Sequence, residues 1–372
     1  MTESQALDAL RAARARTADL CRQLGVSRPV LNAPMPDEAG PELVAAVCEA
    51  GGLGVLSLAG LEADAARERI AALRALTARP FALHLELPGK RVRGDNLARA
   101  RQLAEGLAAL FADLGLPDPT GPEGEALYDL TGEARLRRFE AGFAVALEAR
   151  PAAVITTFGG LREPEADALR DARILNIGTA TTLREAKVLR AAHCDAIVVQ
   201  GLEAAGPRSC FEDSDYDGVG LASLLPAAAR ATKLPIIAAG GVATPEQALG
   251  LTLMGASAVM MGTAFLTVKE ARVTEYQRRA ATWATPKHLV LSRIHSGRLS
   301  RTLHSPLHDA LESYGSYLPD WPAQVGMMAA LQARARETGR EDLEAVPLGQ
   351  SVGRSAAVSA AALVEAVSAA LV

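Results

Sequence analysis

Short apolar runs recur along the chain, at 29–33, 54–58, 81–87, 153–157, 174–177, 196–199, 235–238 and 258–261. Each is bounded by Gly, Pro or charge, and most are separated by stretches of helical character such as PELVAAVCEAG and TPEQALGLTLMG. A run that is apolar on both faces is a strand buried between layers. Its alternation with helices points to a parallel sheet covered by helices. Eight such runs predict an α/β fold closed into a (β/α)8 barrel, the TIM barrel. A doubly wound open sheet is the alternative, disfavoured because no G-x-G-x-x-G turn follows the first run. Within 81–87, FALHLEL alternates. Phe81, Leu83, Leu85 and Leu87 then face the helices, while Ala82, His84 and Glu86 face the barrel interior.

Two segments break the rhythm. Residues 88–150 separate the third and fourth runs by far more than one helix needs, and part of that stretch is rich in Pro, Gly and Asp. An excursion on the barrel surface is expected there. Residues 268–345 hold both tryptophans and four of the six histidines. They predict a mostly helical subdomain lying over the barrel mouth. The expected organisation is therefore a barrel over 1–267 with an insertion at 88–150, a covering subdomain at 268–345, and a return with a closing helix at 346–372.

Composition adds exclusions. The net charge of −4 gives no reason to expect nucleic acid or an anionic membrane as partner. Arginine is frequent but interleaved with Glu and Asp, the pattern of solvated helix faces. The four cysteines form no C-x-x-C pair, so no metal site is readable and a reducing, cytoplasmic compartment fits best. The first residues lack an apolar signal-peptide core, and no apolar stretch reaches the roughly 18 residues of a membrane span.

The most informative segment is LPIIAAGGVATPEQALGLTLMGASAVMMGTAFLT, 234–267. The seventh run ends in Gly240-Gly241, followed by a helix start with Thr244 as N-cap, Pro245 next and Glu246 in the first turn. The eighth ends in Met261-Gly262-Thr263. In (β/α)8 barrels the turns after these two strands form a phosphate site from backbone N–H groups, with no Lys required.

The motif LNAPMPDEAGPELVAAVCEAGGLGVLSL resembles the opening of nitronate monooxygenase (2-nitropropane dioxygenase-like) flavoproteins. So do Gln200-Gly201-Leu202-Glu203-Ala204-Ala205-Gly206-Pro207, the AAGGV and GTAFL turns, IHSGRLSR at 294–301 and PLGQSVG at 347–353. The resemblance implies an FMN-binding barrel. It assigns Ala33, Pro34 and Met35 to the flavin ring, beside His84. Gln200 and Gly201 would flank the ring or ribityl chain, and Gly178 and Thr179 would line the same face. Gly240, Gly241, Gly262 and Thr263 would hold the phosphate, with Gln350 and Ser351 near it.

The departure lies at the chemistry. The family motif ends in a His that moves a proton, and here Pro207 stands in that position, with no titratable group and no N–H. Three substitutes are weighed. His84 has a pKa suited to proton transfer, with Glu86 to orient it; the alternative is a His that only hydrogen-bonds. Cys210 is a candidate nucleophile beside Arg208, set against a bystander thiol. The acidic run Glu212, Asp213, Asp215 and Asp217 reads better as a solvated face. His288, His295, His304 and His308 of the covering segment are further candidates that the sequence does not rank.

The expected function is an FMN-dependent oxidoreductase acting on a small molecule with O2, of the nitronate monooxygenase type or acting on another stabilised carbanion. An anionic substrate tolerates the loss of a base. The alternatives are an enoyl (ene) reductase using NAD(P)H, a flavin-binding relative without turnover, and a flavin-free phosphate-binding barrel that uses Cys210. A homodimer is an open alternative for its assembly.

Overall fold

The computed structural model describes residues 2–88, 95–127, 132–212, 216–312, 314, 318–354 and 358–371. Its strands are β1 (Val30–Asn32), β2 (Gly54–Ser57), β3 (Phe81–Glu86), β4 (Ala153–Thr157), β5 (Leu175–Ala180), β6 (Ala196–Gln200), β7 (Gly206–Pro207), β8 (Ile236–Ala239), β9 (Ala258–Met261), β10 (Leu289–Ser292) and β11 (Ser300–Leu303). Eight of them form one parallel sheet in the order β1-β9-β8-β6-β5-β4-β3-β2. The edges meet at a parallel bridge between Leu31 and Leu53, so the sheet closes into the expected barrel. The seam is thin, and Asn32 reinforces it. Its side chain accepts from Val55 N–H at 2.8 Å and donates to Val55 C=O at 2.9 Å, standing in for missing ladder bonds.

Strand alternation divides the core into two layers. Phe81, Leu83 and Leu85 pack outward with helix residues such as Leu43, Val44 and Leu73. Ala82 faces inward with Val55, Ile155, Val198, Ile237 and Met260. The helix Glu3–Leu24 runs up to the strand ends, and its Leu20 and Leu24 join that inner cluster. They plug the amino-terminal end of the barrel, so ligand access is left to the other end.

The insertion differs from a simple surface excursion. Its second long helix, Glu133–Ala149, is barrel packing: Phe139, Phe143 and Val145 join the outer layer. Its first, Asn96–Asp113, shares a core with the covering segment, where Leu103, Leu107 and Phe111 pack with Ile294, Leu307, Met327 and Leu331. A covering unit thus draws on two separate stretches of chain. It also contains strands as well as helices: β10 pairs with β11, and β11 pairs antiparallel with β7 from the loop after β6. The closing helix Ala360–Ala369 packs on the barrel beside the helices Pro41–Glu49 and Pro245–Leu253.

Candidate active site

A cavity of about 270 Å³ sits at the carboxyl ends of the barrel strands. Small residues after β1 and β9 form part of its wall: Ala33, Pro34 and Met35 on one side, Gly262 and Thr263 on the other. A Cβ at position 262 would lie 3.4 Å from the Ala33 Cβ and 3.8 Å from the Met35 Sδ. Glycine therefore keeps free the space those side chains border.

The two glycine turns lie together at one end of this cavity. Gly240 and Gly241 both have positive φ, 107° and 68°. A Cβ at 241 would approach the Glu203 Cβ to 2.8 Å. The return segment ties the turns to each other. Gly349 N–H donates to Thr263 Oγ1 at 2.9 Å, and Ser351 Oγ donates to Gly241 C=O while accepting from Gln247 Nε2 at 2.9 Å. The helix after β8 starts where the sequence placed it, but its cap is self-contained. Thr244 accepts from Gln247 N–H, and Gln247 Oε1 accepts from the N–H groups of 243 and 244. Those three N–H groups are committed, so a phosphate bound here would draw on the backbone of the glycine turns themselves.

The loop after β6 forms another wall. Arg208 is fully buried and organises it: its guanidinium donates to the carbonyls of Gly201, Leu202, Ala204, Ala205 and Gly206 at 2.6–3.4 Å. Glu203 anchors the same loop by accepting from Leu221 N–H at 3.0 Å. Gln200 lines the cavity and spans the loop, accepting from Ser209 N–H at 2.9 Å and donating to Pro207 C=O at 3.4 Å. Pro207 also lines the cavity and occupies the edge strand of the small sheet, where a missing N–H costs no ladder bond.

Three titratable side chains line the cavity: Glu38, His84 and Glu86. His84 is enclosed, with Nδ1 3.0 Å from Ser57 Oγ and Nε2 3.0 Å from Thr157 Oγ1. Burial holds its pKa down at about 3, so it is a neutral imidazole with both nitrogens engaged. Of the two readings of His84, that geometry favours the hydrogen-bonding one over the proton-transfer one. Glu86 does not orient His84 but pairs with Arg135 at 3.1 Å. Burial pushes the Glu38 carboxyl above the ordinary carboxylate value; Asp37 and Glu344 add to the rise, while its own backbone N–H and Arg336 oppose it. Phe158 completes the lining in a left-handed conformation, φ 69°, which costs about 1–3 kcal/mol for a non-glycine residue. Its ring packs 5.1 Å from Trp321 and 4.0 Å beneath the Arg298 guanidinium.

Several expected site residues lie elsewhere. Gly178 faces outward, where a Cβ would strike Leu189, and so serves strand–helix packing. Gly201 backs onto Glu203 and Leu221. Gln350 is absent from the lining, though its N–H donates to Glu203 C=O at 2.9 Å; its neighbours Gly349 and Ser351 line the cavity instead. Cys210 is fully buried behind the loop and does not reach the cavity. Arg208 turns to the loop carbonyls, and it is Arg298 Nη1 that lies 3.6 Å from the Cys210 sulfur. None of the four histidines of the covering segment lines the cavity. Asp213 and Asp215 lie outside the described residues. Glu38 and Phe158 escaped the sequence reading. Phe158-Gly159-Gly160 after the fourth run was the available signal for the latter.

The nitronate monooxygenase family model matches residues 18–369. A nitronate monooxygenase from Pseudomonas aeruginosa is 34% identical over 346 residues, covering 92% of this chain and 95% of that protein. The solved structure of a nitroalkane oxidase from Streptomyces ansochromogenes superposes with a TM-score of 0.82 at 32% identity, covering 93% of this chain and 96% of the other. FabK from Thermotoga maritima superposes at 0.69 with 20% identity, covering 95% of each chain, a likeness of fold alone. With its cavity, its paired glycine turns and these relatives, the chain belongs to the nitronate monooxygenase family and is a flavin-dependent oxidoreductase.

Proposed function

We propose that the cavity binds FMN and that the enzyme oxidises alkyl nitronates with O2. The observation that carries this reading is the stitching of both glycine turns by the return segment at one end of a largely apolar cavity. A planar ring needs small, apolar walls, and a phosphate needs backbone donors; the chain offers both around one space. FMN supplies a two-electron acceptor that O2 can reoxidise. The residues of the chain do the rest. Ala33, Pro34 and Met35 pack on the ring, and Gln200, its amide already fixed, presents a polar edge. Thr179 and His84 contribute neutral polar groups from the barrel floor, and Gly240, Gly241, Gly262 and Thr263 hold the phosphate. Gly178, Gly201 and Gln350 support these positions from behind. A nitronate arrives already anionic, so Pro207 in the loop is compatible with the reaction. Four buried thiols, none of them in a disulfide, suit a reducing cytoplasm.

The absorbance spectrum of the purified protein tests the first half. Flavin bands, with FMN released on denaturation, are expected; a colourless protein that takes up no added FMN sinks the reading. O2 uptake with an alkyl nitronate tests the second. Steady NAD(P)H consumption without O2, given an unsaturated acyl substrate, would instead assign the reductase activity.

A further inference from the structure

The cavity lacks a base on the loop after β6, yet three titratable groups remain on its wall, and the structure separates them. His84 is sealed between two hydroxyls, at 3.0 Å on each side. Glu86 is held by Arg135 at 3.1 Å. Glu38 differs: among the described residues no Lys or Arg forms an ion pair with it. Its position is nonetheless built. Ala39 N–H donates to Met35 C=O at 2.9 Å, closing a turn, and Arg272 N–H donates to Glu38 C=O at 2.9 Å. The backbone is thus pinned by Met35 on one side and Arg272 on the other, and Glu38 lines the same cavity as Met35. The charges around it are committed elsewhere. Arg272 pairs with Glu42 at 2.8 Å, and Arg336 pairs with Asp37 at 3.4 Å and with Glu344 at 3.3 Å.

We propose that Glu38 is a catalytic base of this site, taking the proton α to the nitro group of a neutral nitroalkane. The inference rests on the nitronate reading above and extends its substrates from the anion to the carbon acid. In the step, the α C–H bond breaks and an O–H bond forms on the Glu38 carboxylate. The electron pair moves into the C=N bond of the nitronate, leaving the charge on the nitro oxygens. The proton then passes to solvent, and no oxidant is consumed. Burial and the like charges of Asp37 and Glu344 raise the affinity of Glu38 for the proton, outweighing the pull of Arg336. A carboxylate of raised pKa is a stronger base than an exposed one. The base form accumulates as pH rises through that raised value.

The test is deuterium exchange of nitroethane α-protons in D2O, followed by proton NMR on the flavin-loaded protein without O2. Wild type should accelerate exchange over buffer, with a rate that climbs with pH and then levels. Glu38→Gln should slow it about 100-fold or more, with flavin absorbance and melting temperature confirming a folded protein, and Glu38→Asp should recover part of the rate. Exchange as fast in Glu38→Gln as in wild type overturns the proposal. So does loss of exchange in His84→Gln while Glu38→Gln retains it. A wild type that oxidises nitronate yet never accelerates exchange removes Glu38 and leaves the proposed function standing. A wild type that oxidises no nitronate but whose proton exchange is lost in Glu38→Gln supports Glu38 and removes the proposed function.

Discussion

At the residue scale the site is governed by what burial does to ionisable and strained groups. His84 has an ordinary pKa of 6.5, and burial holds it at about 3 in the folded chain. His295 is held at about 3 and His308 at about 4, burial being the larger cause in each and a neighbouring histidine the next. All three are neutral when folded and take up protons on unfolding once pH drops below about 6.5. Their contribution to stability is therefore present above 6.5 and is lost as pH falls toward about 3. The melting temperature should decline over that window, and His84→Gln should flatten the decline when the two proteins are melted in parallel buffers. The glycines carry the opposite kind of constraint. Gly241→Ala places a Cβ in a left-handed conformation, at about 1–2 kcal/mol, and against Glu203. Weaker FMN retention is expected, read as flavin lost on gel filtration.

At the element scale the loop after β6 shows how a segment without regular structure is made rigid. Five carbonyls turn inward onto one guanidinium, and Glu203 and Gln200 hold the flanks. Arg208→Met fills much of the same volume but leaves those carbonyls without their donor. A buried polar group stripped of its partner costs about 1–3 kcal/mol. A clear loss in melting temperature is expected, together with weaker flavin binding, because Gln200 and Ala204 line the cavity from this loop. Unchanged stability would show that solvent can replace the guanidinium. The Arg208 motif was visible in the sequence, but only as a neighbour of Cys210; that its side chain serves its own loop depends on the turn from Gly201 to Gly206.

At the scale of the whole molecule one end of the barrel is filled by its first helix, and a second core is assembled from segments distant in sequence. Leu20 and Leu24 fill the amino-terminal end, while the helix Asn96–Asp113 and the segment after β9 share one core of their own. Phe111 is fully buried in that core. Phe111→Ala should cost about 3–5 kcal/mol, measured as the shift in denaturant midpoint. Because the covering core is separate from the barrel clusters, the loss should appear first in this unit. Protease nicking there while the flavin spectrum persists would be the signature.

Local pattern determined a good deal: eight strands, the inward set Ala82, His84 and Glu86, and the two glycine turns. These follow from a period of two and from bonds between near neighbours, so they can be read from a short window of chain. The family motifs were equally legible, because a tight turn dictates its own residues. Tertiary structure decided the rest. It gave His84 two hydroxyl partners from strands 27 and 73 residues away, turned Gly178 outward, buried Cys210, and merged an insertion with a covering segment. It also brought Glu38 to the cavity, although PDEAG reads as an ordinary polar turn. Partners, burial and the resulting proton affinity are properties of contacts between distant residues, and no local window of sequence contains them.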